Sequence, residues 1–358
     1  MKRKPYLDNL RWATVVLVLI YHAFYYFNAQ GVLGGFGPFG QVQYQDAILY
    51  FVYPWFMVLL FVISGICARY ALEKRDGREF FKERTVKLLV PSTLGLFVFY
   101  WIQGWFNVWM AGGWEQMPPE MPGFVRYLIS AVSGIGPLWF AQMLWVFSGL
   151  LLLIRKLDPK DKLFGCFRNM NAWMAMIFIP LIWASAQVLN TPVITVYRFG
   201  IYFTAYLLGY YVFAHEKMQN SLEANALPLA VAAVILGIAY TWHYFGTNYA
   251  EDACLKSVFT AVYLWVAVLA LLGAGKRWFG CETPLCRFMT RQSSGIYMLH
   301  CLIMTFVCWG LRYGLKLPAA LVYIPAIVLT FVLSIGLNEV LRRIPVIRFL
   351  VLGVRKKK

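Results

Sequence analysis

The chain has 358 residues, of which 61% are apolar, 18% aromatic and only 14% charged. That balance is too apolar for an ordinary globular domain and points to a membrane protein. A net charge of +17 would suggest nucleic acid in a soluble protein; here its distribution along the chain gives a topological account instead, and no nucleic-acid partner is expected.

Ten apolar segments follow in chain order, at about 12–28, 47–68, 88–108, 137–154, 172–190, 199–214, 226–245, 257–275, 294–311 and 320–341. Each is long enough, or nearly so, to cross as a helix, with the sixth short for the task. The first is read as a retained span rather than a cleaved leader. Polar or Gly/Pro-rich connectors such as Gly34-Gly35-Phe36-Gly37-Pro38 separate the runs. With the N-terminus inside, 27 of the 33 Lys and Arg residues fall on inner segments, 5 on outer loops, and Arg11 at the boundary. That asymmetry predicts both termini in the cytosol. The expected fold is an all-α, polytopic membrane helix bundle of about ten transmembrane helices. It forms one integral-membrane domain over residues 1–358, with no obvious repeat and no soluble module appended. A basic inner face could also attract anionic cofactors or lipid headgroups.

The seven cysteines are scattered, and this topology puts only Cys254 outside, so no outer-face disulfide framework is expected. Cys281 and Cys286 have no nearby His, and no metal is expected.

The first span carries the most informative pair. Arg11 and His22 are eleven residues apart, which on a helix returns to within about 20° of the starting direction and rises about 16 Å. A cation at the membrane surface and an imidazole near the midplane thus share one stripe. An ionisable group at such depth is costly and marks a candidate functional site. His22 either hydrogen-bonds inside the bundle as a structural residue or serves as a general base, kept neutral by desolvation. Asp8, three residues before Arg11, can pair with it, sealing the helix end or orienting the guanidinium toward an anion.

In the second inner loop Arg84 and Lys87 face alike. They are either ordinary positive-inside flanks or, with Arg11, the lining of a cytosolic mouth for a phosphorylated ligand. Tyr297 and His300 share a face near the ninth span, as a hydrogen-bonded structural pair or with His300 as a second base. His215 and His243 lie near span ends and read as incidental. The outer segment 109–136, with Trp109, Trp114 and three prolines, suits sugar stacking or an interfacial aromatic belt. Ser64-Gly65 in the second span reads as a close helix contact rather than a nucleophile. No phosphate-cradling glycine loop and no Gly-x-Ser-x-Gly elbow occurs.

Together these elements resemble the acyltransferase-3 family of bacterial membrane acyltransferases, over most of the chain. The Arg-x10-His spacing is met by Arg11 and His22, preceded by Asp8 in an Asp-x-x-Arg context. Phe61-Val62-Ile63-Ser64-Gly65 resembles the family's Phe-x-x-Ser-Gly segment. The stretch from Phe81 to Pro91 is similar to its Arg-x-x-Arg-x-x-x-Pro element, with Arg84 matched and Lys87 in the place of the second arginine. That substitution keeps charge and loses the planar fork. Pro137-Leu138-Trp139-Phe140 resembles the Leu-Trp-Phe signature, and Tyr297 to His300 the Tyr-x-x-His element. The resemblance implies ten helices in a bacterial cell membrane and acyl-CoA as cytosolic co-substrate. It also implies a catalytic His22 and an Arg11 that helps place the donor. Among relatives the chain looks somewhat closer to the glucan biosynthesis protein C type.

The expected reaction is O-acyl transfer from acetyl-CoA or succinyl-CoA to a carbohydrate or lipid-linked acceptor of the cell envelope. Phosphates would dock on Arg11, Arg84 and Lys87, and His22 would deprotonate the acceptor hydroxyl or be acylated itself. The rival reading is a transporter or exporter of a saccharide or lipid-linked polymer, although midplane charges are few and duplicated halves are not evident.

Overall fold

The computed structural model describes residues 4–30, 35–191 and 196–355. Gly34 of the first outer connector lies outside the described residues, as do the terminal cations Lys2, Arg3, Lys356, Lys357 and Lys358. Among the described residues the chain is all-α with no strand, apart from an isolated bridge between Asn190 and Arg198.

Helix α1 runs Pro5–Tyr25, α2 Tyr44–Leu72, α3 Gly77–Met110, α4 Gly123–Ser133 and α5 Leu138–Leu157. They are followed by α6 Met174–Gln187, α7 Phe199–Phe213, α8 Glu216–Ala224 and α9 Ala226–Tyr244. The chain closes with α10 Val258–Trp278, α11 Pro284–Gly314, α12 Ala319–Arg343 and α13 Pro345–Leu352. Among the described residues, seven helices (α2, α3, α5, α9, α10, α11 and α12) are long and apolar enough to cross a membrane. The expected segments 172–190 and 199–214 are the shorter apolar helices α6 and α7. Helix α1 starts before the expected residue 12, because Pro5 is preorganised for a first turn and Asp8 suits the positive end of the helix dipole. The outer segment 109–136 holds an additional helix, α4, which Pro122 introduces and Gly134 ends.

The packing resolves into two compact units. The first comprises Met1–Thr14, Ala47–Lys82 and Val146–Thr290; the second comprises Val15–Asp46, Glu83–Trp145 and Arg291–Lys358.

In the first unit, α2 breaks at Tyr53, Pro54 and Trp55. Pro54 cannot donate to the helix ladder and its ring displaces the preceding turn. The Phe51 carbonyl then accepts from the Trp55 indole at 2.7 Å and the Tyr263 hydroxyl at 2.5 Å. Such side-chain repair is required where water is absent. Helices α2 and α7 meet backbone to backbone: a Cβ on Gly65 would collide with the Tyr206 carbonyl, and one on Gly209 with that of Val62. Gly65 is therefore a packing glycine, in keeping with the sequence reading.

In the second unit, α3 contains two π-helical turns, Thr85–Leu89 and Leu96–Tyr100. Each inserts an extra residue per turn and so re-aims the face that follows. A second glycine contact joins α3 to α4, since side chains on Gly104 or Gly134 would strike the Ser130 and Tyr100 carbonyls. The core here gathers Leu96, Tyr100, Leu138, Met298, Leu299 and Ile303 among others. One side of α3 points inward, with Leu96, Tyr100, Gln103, Gly104 and Val108 buried, while Leu94, Phe97, Val98, Trp101 and Trp105 are exposed.

Candidate functional site

Asp8 and Arg11 lie in the first unit, on the first half of α1. The Arg11 guanidinium reaches the Asp8 carboxylate at 3.4 Å and donates to the Cys67 sulfur at 2.9 Å. Both side chains are part-exposed, so the pair itself adds little to stability. Between them in the chain, the Asn9 amide donates to the Phe279 and Cys281 carbonyls at 2.6 and 2.8 Å. It thereby ties α1 to the connection between α10 and α11. The thiols of Cys281 and Cys286 stand 3.2 Å apart beside it.

Arg84 and Lys87 belong to the second unit. Arg84 directly precedes the first π-turn of α3 and Lys87 sits within it. The Lys87 ammonium is 2.5 Å from the Glu83 carboxylate on an exposed face, so part of its charge is already matched.

The second unit also brings together two histidines that are 278 residues apart in the chain. His22 comes from α1 and His300 from α11. Their ring centroids are 5.0 Å apart at an interplanar angle of 65°. His22 Nδ1 lies 2.7 Å from the Val18 carbonyl, and His300 Nδ1 lies 2.8 Å from the Tyr297 carbonyl. A carbonyl can only accept, so each Nδ1 carries its proton, which leaves a lone pair on each Nε2. His300 Nε2 then accepts from the Cys301 thiol at 3.3 Å and stands 3.4 Å from His22 Nδ1, whose proton goes to the Val18 carbonyl. His300 is completely buried, whereas His22 keeps part of its surface accessible. Tyr21 and Tyr25 pack edge-on against the His22 ring at 5.2 and 5.8 Å and restrict its rotation. The arrangement thus presents one imidazole with a fixed tautomer and a second nitrogen that has no partner among the described residues, backed by a second imidazole packed against its far side. That is the geometry a base needs when it must gain a proton and hold its orientation.

Tyr297 and His300 do form a bonded pair, through the Tyr297 carbonyl rather than its hydroxyl. The hydroxyl instead donates to the Pro137 carbonyl at 2.8 Å, and the Phe140 ring packs against the tyrosine at 5.5 Å. This anchors α11 to the start of α5, where Trp139 is buried.

Four polar partners escaped the sequence reading. The Tyr26 hydroxyl, one turn beyond His22, lies 2.7 Å from Thr305 Oγ1. Thr305 reaches the Gln103 carbonyl oxygen at 3.0 Å, and the Gln103 amide donates to Asn107 at 2.8 Å and to the Tyr26 oxygen at 3.4 Å. Beside them Cys301, one of seven scattered thiols, adjoins His300. The signal available was polar spacing: Gln103 and Asn107 are four apart within an apolar span.

His22, His300 and Cys301 also place ligand-type atoms within 4.8 Å of one another. Such nitrogens and sulfur would suit a soft cation. The His22 nitrogen nearest to His300 is already committed to the Val18 carbonyl, however, and a hydrogen-bonded chain uses these atoms without freeing it.

A family model described as an acyltransferase domain matches residues 4–339 of the chain. Comparison with curated proteins and with solved structures gives no match.

Proposed function

The chain belongs to the acyltransferase-3 family, and from that premise we propose that it carries an acyl group, acetyl or succinyl, from cytosolic acyl-CoA to a hydroxyl of a cell-envelope glycan or related acceptor. The observation that carries this reading is the His22–His300 pair, with its nitrogens 3.4 Å apart and both tautomers fixed by backbone carbonyls. His22 Nε2 takes the proton of the acceptor hydroxyl as the oxygen attacks the thioester carbonyl. The carbon–sulfur bond then breaks, and the proton passes to the departing thiolate, which leaves as CoA thiol. His300 acts as a positioning residue: its ring packs against the far side of His22, and its Nε2 lone pair, 3.4 Å from Nδ1, faces the imidazolium that forms. Arg11, Arg84 and Lys87 contribute positive charge for the CoA phosphates, with Arg11 held by Asp8. Removing water from around the thioester favours attack by the acceptor over hydrolysis.

The test is incubation of membranes containing the protein with labelled acetyl-CoA and, separately, succinyl-CoA, followed by separation of glycans and lipids. Label in an ester of one fraction, dependent on the protein, is the expected result. Ligand movement across the membrane without consumption of either thioester would refute it.

A further inference from the structure

Several buried polar groups of the second unit lack a hydrogen-bond partner among the described residues, Tyr323, Thr330 and Ser334 among them, and of these Tyr100 is the one in the core cluster that holds the residues flanking His300. Its side chain is completely buried, and its hydroxyl has no hydrogen-bond partner among the described residues. In a site without water a buried O–H with nothing to bond is destabilising, so native chains seldom keep one without a use. Phenylalanine would fill the same apolar space at no such cost.

The position is also built with some care. Tyr100 closes the second π-turn of α3, the kind of irregularity that recurs at functional sites. Gly134 lets its backbone lie directly against the end of α4. Its neighbours in the core are Met298, Leu299 and Ile303, the α11 residues that flank His300. The hydroxyl lies within electrostatic reach of the Cys301 thiol, which itself adjoins His300 Nε2 at 3.3 Å. Gln103, one turn further on the same inward side of α3, bonds Tyr26 and Thr305. Tyr100 is thus a member of that polar side whose donor has no partner among the described residues, in the core cluster that holds the residues flanking His300.

We propose that Tyr100 is a catalytic residue for acyl transfer, donating its hydroxyl hydrogen bond to the thioester carbonyl oxygen as negative charge develops there. This rests on the acyl-transfer reading above. When the acceptor oxygen bonds to the carbonyl carbon, the π pair moves onto the carbonyl oxygen, and the O–H of Tyr100 points at that charge. Collapse returns the pair and breaks the carbon–sulfur bond. Tyr100 keeps its proton throughout, while His22 carries the one removed from the acceptor. A donor fixed in place before the reaction, in a site without water, is worth far more than the same donor in water.

The test compares Tyr100→Phe with the wild-type protein in detergent or vesicles. Transfer from labelled acyl-CoA and thermal stability are measured together. The expected result is a fall in kcat of about 100-fold, as for loss of one oxyanion donor, with KM for acyl-CoA little changed and the melting temperature unchanged or raised. A stable variant with full kcat overturns the proposal and leaves the His22 reading standing. A clearly lowered melting temperature also overturns it, because the hydroxyl would then have a structural partner. Full activity in a folded His22→Ala protein would instead remove the underlying reading.

Discussion

In the proposed transfer, His22 and His300 divide one task between two imidazoles. With both Nδ1 protons held by backbone carbonyls, His22 would offer Nε2 to a substrate while the Nε2 lone pair of His300 faces the far side of the His22 ring at 3.4 Å. Replacing His300 by Phe should therefore lower kcat through loss of orientation, by less than loss of His22 itself, with the donor KM almost unchanged. Restoration by Gln, which can again present an acceptor, would separate positioning from bulk. Cys301 only donates to His300, so Cys301→Ala should retain near wild-type transfer, and a chelator should leave the rate unaltered. A strong loss in either experiment would mean that His22, His300 and Cys301 hold a cation. Each histidine was legible in the sequence by its depth in an apolar span. Their meeting was not, because nothing local links residues 278 apart. Tyr100 left no trace at all, as one of 22 tyrosines in an aromatic-rich chain.

At the scale of the elements, two glycine crossings set the helix positions. Gly65 and Gly209 allow α2 and α7 to touch along their backbones, and Gly104 and Gly134 do the same for α3 and α4. Gly65→Leu should be destabilising by well over the ~1–3 kcal/mol typical of overpacking, because it meets backbone rather than a yielding side chain. Thermal unfolding in detergent checks this; a melting temperature equal to wild type would contradict the crossing. Helix positions were largely readable from hydropathy, and the ends were not. Helix α3 reaches back to Gly77 and α11 to Pro284, beyond the apolar runs at 88–108 and 294–311. Polar first turns are invisible to a hydropathy argument but cost nothing outside the hydrocarbon. The two π-turns of α3 likewise had no readable signature, since they follow from packing rather than from composition.

For the whole molecule, charge and hydropathy together predict the topology: expected inner segments rich in Lys and Arg, expected outer loops nearly free of them. Cys166 lies on the expected inner loop 155–171 and is exposed. A variant retaining it as its sole cysteine should react with a membrane-impermeant maleimide in inverted vesicles and not in intact spheroplasts; the reverse pattern would turn the assigned orientation over. That orientation bears on the proposed chemistry, in which acyl-CoA would be supplied from the cytosolic side and the acceptor would belong to the envelope. The decisive measurement is transfer of label from acyl-CoA, supplied on that side, to the acceptor by wild-type protein and by a correctly inserted His22→Ala variant. The account predicts a fall of about 100-fold or more, the scale of a lost general base; transfer at the wild-type rate would contradict it.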